Sequence, residues 1–438
     1  MASVLKRDSV FENIPSIKAK TLRINLNPDI YGTFAEIGAG QETARHFFRS
    51  GGASGTIAKA MSAYDKDFSD AIYGIETDGR YVTQARLKTM LSHEMQLMEE
   101  RISRKNHPDR LFFSYANTVA TIDFSKRYKG HGWIGIRYQL DPKQKEFDEI
   151  ILHIRFKQNE ARLQQETLGI LGVNLIYGAF YKYDKPKKML KYLYDHIDKD
   201  TLEIDMVNFS GPNFKDVDNR LMSLQLIKND MTDAVMFGPD GNNLLPAAVL
   251  YKKNILALRG SFRPVTKVNL DMFEKSYDIF IRDKQVDQDN TIVIFEITLS
   301  NLKASGEIDE QDFMDRAELL CSLGHSVMIS KFQEYYKLVE YFNNFTKNRI
   351  GLTMGVNNLV DIFDEKYYRH LSGFFKYNGK VMDIIDYEPD VMHIFSRDVL
   401  KKLMKNEEGW EQMLPEGIAE IIKEKNLFVR KTNEIEAE

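Results

Sequence analysis

Residues 254–299 read NILALRGSFRPVTKVNLDMFEKSYDIFIRDKQVDQDNTIVIFEITL. The run opens and closes on short apolar, β-branched segments, 254–259 and 291–299, and between them 269–281 is spaced as a helix. Two such strands joined through a helix form a βα unit, and a chain that returns through a helix re-enters the sheet parallel to itself. Outward from this stretch the pattern repeats. Residues 203–209, 233–237, 326–330 and 349–354 read as further short strands, with helical patterns alternating between them. Repeated βα alternation predicts an α/β domain over residues 158–386 with a mainly parallel sheet, open or barrel-like, covered by helices.

The chain before this domain has a different rhythm. Residues 34–70, FAEIGAGQETARHFFRSGGASGTIAKAMSAYDKDFSD, place Gly38, Gly40, Gly51, Gly52 and Gly55 among helix-forming segments. Glycines at turns let a backbone approach a ligand where a side chain would block it. After a short strand or turn near Phe34, residues 43–49 begin a helix. Residues 56–64 read as a second helix opening directly after the glycines, with Ser54 or Thr56 as its N-cap. Its free N–H groups would face a bound anion, with Lys59 beside them. Residues 80–105 form an amphipathic helix that ends before Asn106-His107-Pro108. The stretches 111–124, 132–139 and 149–156 predict an antiparallel meander. Pro15 and Pro28 break residues 1–30 into an arm that packs on the body or on a partner. The expected division is therefore 1–157, an N-terminal α+β domain with Gly-rich loops; 158–386, the βα-repeat domain; and 387–438, a charged helical tail.

Composition narrows the class. The 438 residues carry 60 basic and 64 acidic groups, a formal charge of −4, and are 43% hydrophobic, an ordinary globular balance. No field of one sign advertises nucleic acid, and the basic runs Arg101-Arg104-Lys105 and Lys185-Lys187-Lys188-Lys191 read as solvated helix faces. Cys321 is the single cysteine, so neither an internal disulfide nor a cysteine metal site is available, which fits a reducing compartment. No run of about 18 apolar residues is present, and the N-terminus lacks the apolar centre of a signal peptide. The expectation is a cytoplasmic protein with no membrane partner.

In parallel α/β folds ligands bind beyond the C-terminal ends of strands, and here those positions are polar. Arg259-Gly260-Ser261-Phe262-Arg263 offers two guanidinium forks and backbone N–H groups to a phosphate or carboxylate. Glu296 stands inside an apolar strand, so it needs a cationic or hydroxyl partner and is a candidate general acid or base. Asp218, Asn219 and Arg220, in DVDNR, follow another strand end. Asp218 or Asp240 is placed to orient a hydroxyl or Mg²⁺, although no metal-ligand motif is present. His131 and His153 are candidates for proton transfer. Named motifs are incomplete: Glu36-Ile37-Gly38-Ala39-Gly40 begins a dinucleotide or methyltransferase turn but meets Glu42 and Thr43 where the pattern continues. Residues 51–59 lack the Gly-Lys-Ser/Thr of a phosphate loop, and His93-Glu94 meets Leu97 where a zinc-protease pattern needs histidine.

Residues 32–41 (GTFAEIGAGQ), 51–65 (GGASGTIAKAMSAYD), 69–74 (SDAIYG), 113–121 (FSYANTVAT), 130–139 (GHGWIGIRYQ), 168–181 (LGILGVNLIYGAFY), 217–226 (VDNRLMSLQL), 250–266 (LYKKNILALRGSFRPVT) and 363–368 (FDEKYY) together resemble a bacterial family seen in cyanobacteria and Bacteroidetes-type bacteria. Its members carry conflicting labels, among them nicotinate-nucleotide or nicotinamide mononucleotide adenylyltransferase and TonB-dependent receptor. The resemblance implies cytoplasmic residence and a shared site. The residues themselves lack the alternating barrel strands of a receptor, and Gly130-His131-Gly132 is only a fragment of the His-x-Gly-His motif of nucleotidyltransferases.

The combined expectation is an enzyme, a transferase, that binds a phosphorylated or nucleotide-like substrate at a composite site. Gly38, Gly40, Gly51, Gly52, Ser54, Gly55 and Lys59 would form one wall, and Arg259, Ser261, Arg263, Asn219 and Arg220 the other. Glu296, His131 and Asp218 would carry the chemistry. The alternative is a non-catalytic homo-oligomeric scaffold with an aromatic surface at Tyr367-Tyr368 and Phe374-Phe375.

Overall fold

The structure, a computed structural model, describes residues 14–428 apart from 103, 128, 304–307, 356–381 and 385. The expected aromatic surface at 367–375 lies outside the described residues. The chain forms two compact units, 1–232 and 233–438, so the division falls later than the 157/158 boundary expected from the change of rhythm.

In the first unit six strands lie in the order β2-β1-β3-β4-β5-β6. They are β1 (Ile30–Ile37), β2 (Ile57–Met61), β3 (Leu111–Ala120), β4 (His131–Tyr138), β5 (Asp148–Phe156) and β6 (Leu202–Ser210). Strands β3, β4 and β5 form the expected antiparallel meander. Two strands extend it on one side, β1 parallel to β3 and β2 parallel to β1. On the other side β6 pairs antiparallel with β5, so residues 203–209 close this sheet rather than opening the parallel one. The helices are α1 (Ile17–Asn25), α2 (Glu42–Ser50), α3 (Lys66–Tyr73), α4 (Gln84–Arg101), α5 (Ala161–Tyr181), α6 (Pro186–Tyr192) and α7 (Asn219–Lys228). Helix α5 is buried along most of its length, as its apolar run 168–180 demands, and packs with α1 and α2 over one face of the sheet. Helix α4 covers part of the other face, where Leu87 and Leu91 fill the space that Gly135 leaves on β4.

The second unit has the sheet order β12-β9-β10-β11-β7-β8. Its strands are β7 (Ala234–Phe237), β8 (Asn243–Leu244), β9 (Asn254–Arg259), β10 (Thr291–Thr298), β11 (Ser326–Ser330) and β12 (Ile350–Thr353). Strands β12, β9, β10 and β11 are mutually parallel, as the opening stretch predicts. Strand β7 runs antiparallel to β11. Among the described residues the sheet is open, with β12 and β8 at its edges. Helices α8 (Pro246–Val249), α9 (Lys267–Ile281), α10 (Glu310–Ser322) and α11 (Tyr335–Asn343) are followed by α12 (Ser396–Met404) and α13 (Ile418–Lys425). Leu338 and Phe342 of α11 pack on Ile255, Ile294 and Met328, while Phe280 of α9 covers Gly351 and Phe313 of α10 meets Phe237. No helix among the described residues is long and apolar enough to cross a membrane.

Candidate functional site

The parallel strands of the second unit define its site geometrically. Strand β10 and then β11 are added on one side of β9, whereas β12 is added on the other. The strand order thus reverses at β9, and in open parallel sheets the carboxyl end of a strand at such a point is where ligands bind. The loop leaving β9 begins at residues 260–264 and leads into α9 through a capping box formed by Thr266 and Asn269. Phe262 adopts φ +47° and buries its ring against Phe295. That ring occupies the place where a Cβ on Gly260 would lie, 2.8 Å away.

Arg316 on α10 fastens this loop. Its Nη1 donates to the carbonyls of Ser261 and Asn301, both at 3.0 Å, and so ties the loop after β9 to the loop after β10. Its Nη2 pairs with Asp312, whose other oxygen receives Nε of Arg263. Arg263 is thereby aimed but not consumed: its terminal amino groups have no partner among the described residues, and the side chain stays 23% exposed.

Arg259 is engaged differently. Its Nε and Nη2 grip the two oxygens of Glu296 at 2.6 and 3.2 Å, Nη1 donates to the Gln333 carbonyl at 2.9 Å, and the guanidinium lies 4.5 Å from the Tyr335 ring centre. Ser330 donates to Glu296 at 2.5 Å. Glu296 has no exposed surface, and burial raises its carboxyl above the usual range although Arg259 and Ser330 oppose the shift. It has the cationic and hydroxyl partners its position demands, and being sealed it cannot reach a substrate proton. Arg259 and Glu296 are thus a buried pair that fixes β9 to β10, and of the two arginines only Arg263 faces outward with free donors.

The glycine-rich stretch belongs to the first unit, and its local structure differs from the expectation. Residues 57–61 are the edge strand β2, not a helix, because the stretch pairs in parallel with β1. Ser54 sits in a single 3₁₀ turn, Ala53–Gly55, and Thr56 donates its hydroxyl to the Asn25 carbonyl. Gly51 and Gly52, both at positive φ, end α2, where Asn25 donates to the carbonyls of Phe47 and Gly51. A helix C-terminus presents carbonyl oxygens and the negative end of the dipole, so the reason for an anion at residues 51–55 falls away. Gly38 has φ +94°, and a Cβ there would lie 1.9 Å from the Val119 carbonyl oxygen; it serves strand packing. Gly40 is also at positive φ, with open space around it. Lys59 pairs with the buried Glu94 at 2.6 Å. Glu36 accepts from the backbone N–H groups of Thr43 and Ala44 at 3.2 and 2.9 Å, anchoring the start of α2, and burial pushes its carboxyl up to about 7.

Asp218, Asn219 and Arg220 form a strand-to-helix joint. Asp218 caps α7 and grips Arg220 at 2.8 Å; burial opposes its charge, but the guanidinium holds the carboxyl below its usual range. Asn219 bonds the backbone of Phe209 in both directions, at 2.8 and 3.0 Å. Asp240 accepts twice from Asn242 within a turn. No group of three or more His, Cys, Asp or Glu side chains among the described residues is gathered to hold a metal ion.

His131 and His153 are brought together. His131 Nδ1 lies 3.3 Å from His153 Nε2, and His153 Nδ1 lies 2.5 Å from Asp205. Asp205 was not singled out from sequence. Its signal is the pair Glu203 and Asp205 inside the apolar strand LEIDMV, which requires cationic or donor partners on the neighbouring strand. Arg263's orientation through Asp312 and Arg316 was missed as well, although DFMDR carries an i, i+4 acid–base pair.

No protein-family profile matches this chain, and no curated protein matches it. Among solved structures it is similar to a competence-damaged protein (CinA) superfamily protein from Enterobacter cloacae, at 10% identity and a TM-score of 0.27 over 41% of this chain and 98% of that one. The competence/damage inducible protein CihA from Agrobacterium tumefaciens aligns at 14% identity and a TM-score of 0.25, covering 43% and 100% of the two chains. A CinA superfamily protein from Escherichia coli aligns at 10% identity and 0.26, covering 42% and 94%.

Proposed function

We propose that the chain is an enzyme acting on a phosphorylated or nucleotide-like substrate, with group transfer as its reaction class, and that the loop at the carboxyl end of β9 holds the anionic part of that substrate. The observation that carries this reading is Arg263. It stands on the loop leaving β9, beside the point where the strand order reverses. Its Nε is fixed by Asp312 and its terminal amino groups are uncommitted. An aimed guanidinium fork matches a phosphate or carboxylate better than a flexible ammonium does. The exposed Ser261 next to it supplies a hydroxyl, and Arg316 holds the loop so that little ordering remains to be done on binding.

Thermal unfolding in the presence of nucleotides, sugar phosphates and inorganic phosphate tests the reading. A ligand at 100 times its Kd stabilises by about 2.7 kcal/mol, a shift of several degrees for a unit of this size. At least one phosphorylated compound is expected to shift the wild-type transition, and Arg263→Met to abolish the shift while leaving the ligand-free transition in place. No shift from any phosphorylated compound would overturn the proposal.

A further inference from the structure

The line Asp205–His153–His131 crosses three strands of the first unit, and a defect in strand pairing makes it possible. From Glu149 to His153, β5 pairs with β6 in one register, so that His153 faces Met206; from Ile154 onward the register slips and Ile154 faces Ile204. Asp205 is the extra residue. Ile204 and Val207 both point into the core beneath α5, so Asp205 and Met206 between them share the opposite face. Strict alternation would have sent one of the two into the core. The bulge re-aims Asp205 at His153.

The hydrogen bonds then fix the tautomers. A carboxylate accepts, so His153 carries its proton on Nδ1 and offers the lone pair of Nε2 to the Nδ1 proton of His131. That leaves Nε2 of His131 with a lone pair and no partner among the described residues. Asp205 and His153 are buried, with 4% and 1% exposure, and Trp133 packs on the His153 ring at 4.8 Å. His131 is only partly buried. The chain is closed at the aspartate and open at the outer imidazole, whereas a pair serving packing alone would be closed at both ends. Arg155 lies directly across from His131 in the register, with Glu203 at 3.7 Å behind it.

We propose that the first unit carries its own acid–base site, in which Nε2 of His131 is the working atom, His153 and Asp205 are positioning residues, and the substrate is a carboxylic ester. Nε2 takes a proton from water as the water oxygen bonds to the ester carbonyl carbon, and the carbonyl oxygen takes up the negative charge. The bond from carbon to the leaving oxygen breaks, and the proton on Nε2 passes to that oxygen, releasing acid and alcohol.

The full-length protein incubated with p-nitrophenyl acetate gives the test. His131→Gln is expected to lower p-nitrophenolate release by about 10² or more, His393→Gln, on the other unit, to leave it unchanged, and Asp205→Asn to lower it at least about tenfold with KM little altered. The pH profile separates catalysis from scaffolding. Burial first, and then the neighbouring His153 and Arg155, hold His131 down to about 4 against the opposing pull of Asp205. The acid limb is therefore expected near pH 4 rather than near an ordinary histidine's value, and Asp205→Asn is expected to move it. Should His131→Gln fail to fold, His131→Asn gives the same test with a smaller side chain. A rate unchanged in folded His131→Gln or folded His131→Asn overturns the proposal.

Discussion

Glu296 shows how a single residue in a sequence announces a need without naming its satisfaction. A carboxylate inside TIVIFEIT requires a partner, and the structure supplies Arg259 from β9 and Ser330 from β11, the two strands that flank β10. Removing one member of a sealed pair is more damaging than removing both, because the survivor keeps its desolvation penalty without compensation. Arg259→Ala is expected to destabilise the second unit by about 3–5 kcal/mol, and Arg259→Met with Glu296→Leu to recover most of that loss in urea unfolding. The pH dependence has a definite sign. Burial already raises Glu296, and loss of Arg259 raises it further. A carboxyl whose folded value exceeds its unfolded one adds stability below the unfolded value and loses it as pH rises through the folded one. Arg259→Ala should therefore lie closest to wild type in acid and fall away toward neutral pH, and a deficit that is the same at every pH would contradict the pairing. His131 was legible in the same partial way: a strand histidine needs a partner, but the partner's aspartate reaches it only through a bulge, which leaves no trace in the alternation of LEIDMV.

At the scale of elements, what was legible followed from local period. Strands β9, β10 and β11 and helices α4 and α9 were expected close to where they lie, because apolar spacing over five to eighteen residues settles their type. What was not legible depended on partners far away in sequence. IAKAM fits a helical turn as well as a strand, and only the free edge of β1 decides it. Residues 202–210 are a strand under any reading, yet their sheet is chosen by the long α5, which returns the chain to the free edge of β5. That helix also shows glycines acting by size. A Cβ on Gly172 would lie 2.4 Å from the Thr43 hydroxyl and 2.5 Å from the Tyr115 hydroxyl, and one on Gly169 would lie 2.7 Å from Glu42. These two glycines admit the start of α2, which Glu36 anchors from β1. Alanine in a helix gains about 1 kcal/mol over glycine, whereas forcing atoms into a packed contact costs about 1–3 kcal/mol. Gly172→Ala is expected to be net destabilising because Thr43 is β-branched and held by Glu36. In Gly178→Ala the nearest atoms to the new methyl belong to the unbranched side chain of Met189, with Cε at 2.8 Å and Cγ at 3.2 Å, so that variant should lose less than Gly172→Ala in thermal unfolding. Equal effects from the two substitutions would show that helix propensity, not the α2 contact, dominates along α5.

For the molecule as a whole, each sheet is complete within one continuous half of the chain. All six strands of the first sheet, the helices α1 to α7 and the core beneath α5 lie before Asp233, and all six strands of the second lie after Thr232. The last links of the first unit are local to it: the Ile204 amide donates to the Met231 carbonyl, and the Thr232 hydroxyl donates to Glu203 at 2.7 Å. The second unit likewise begins within itself, with the Lys331 amide donating to the Asp233 carbonyl. A domain that owns its core and its strand pairings can fold without the rest of the chain, and at this length it buries enough surface to be stable. A fragment comprising residues 1–232 is therefore expected to be soluble, to show mixed α/β circular dichroism and to unfold in one cooperative transition. A fragment ending at Lys157, the boundary suggested by the change of rhythm along the sequence, lacks β6 and the whole of α5. It leaves the face bearing Tyr115, Ile134 and Ile150 without its long covering helix, and the edge of β5 unpaired. That shorter fragment should aggregate or remain molten. A well-folded 1–157 alongside an unfolded 1–232 would place the structural division where the sequence rhythm changes and would refute the architecture described for the first unit.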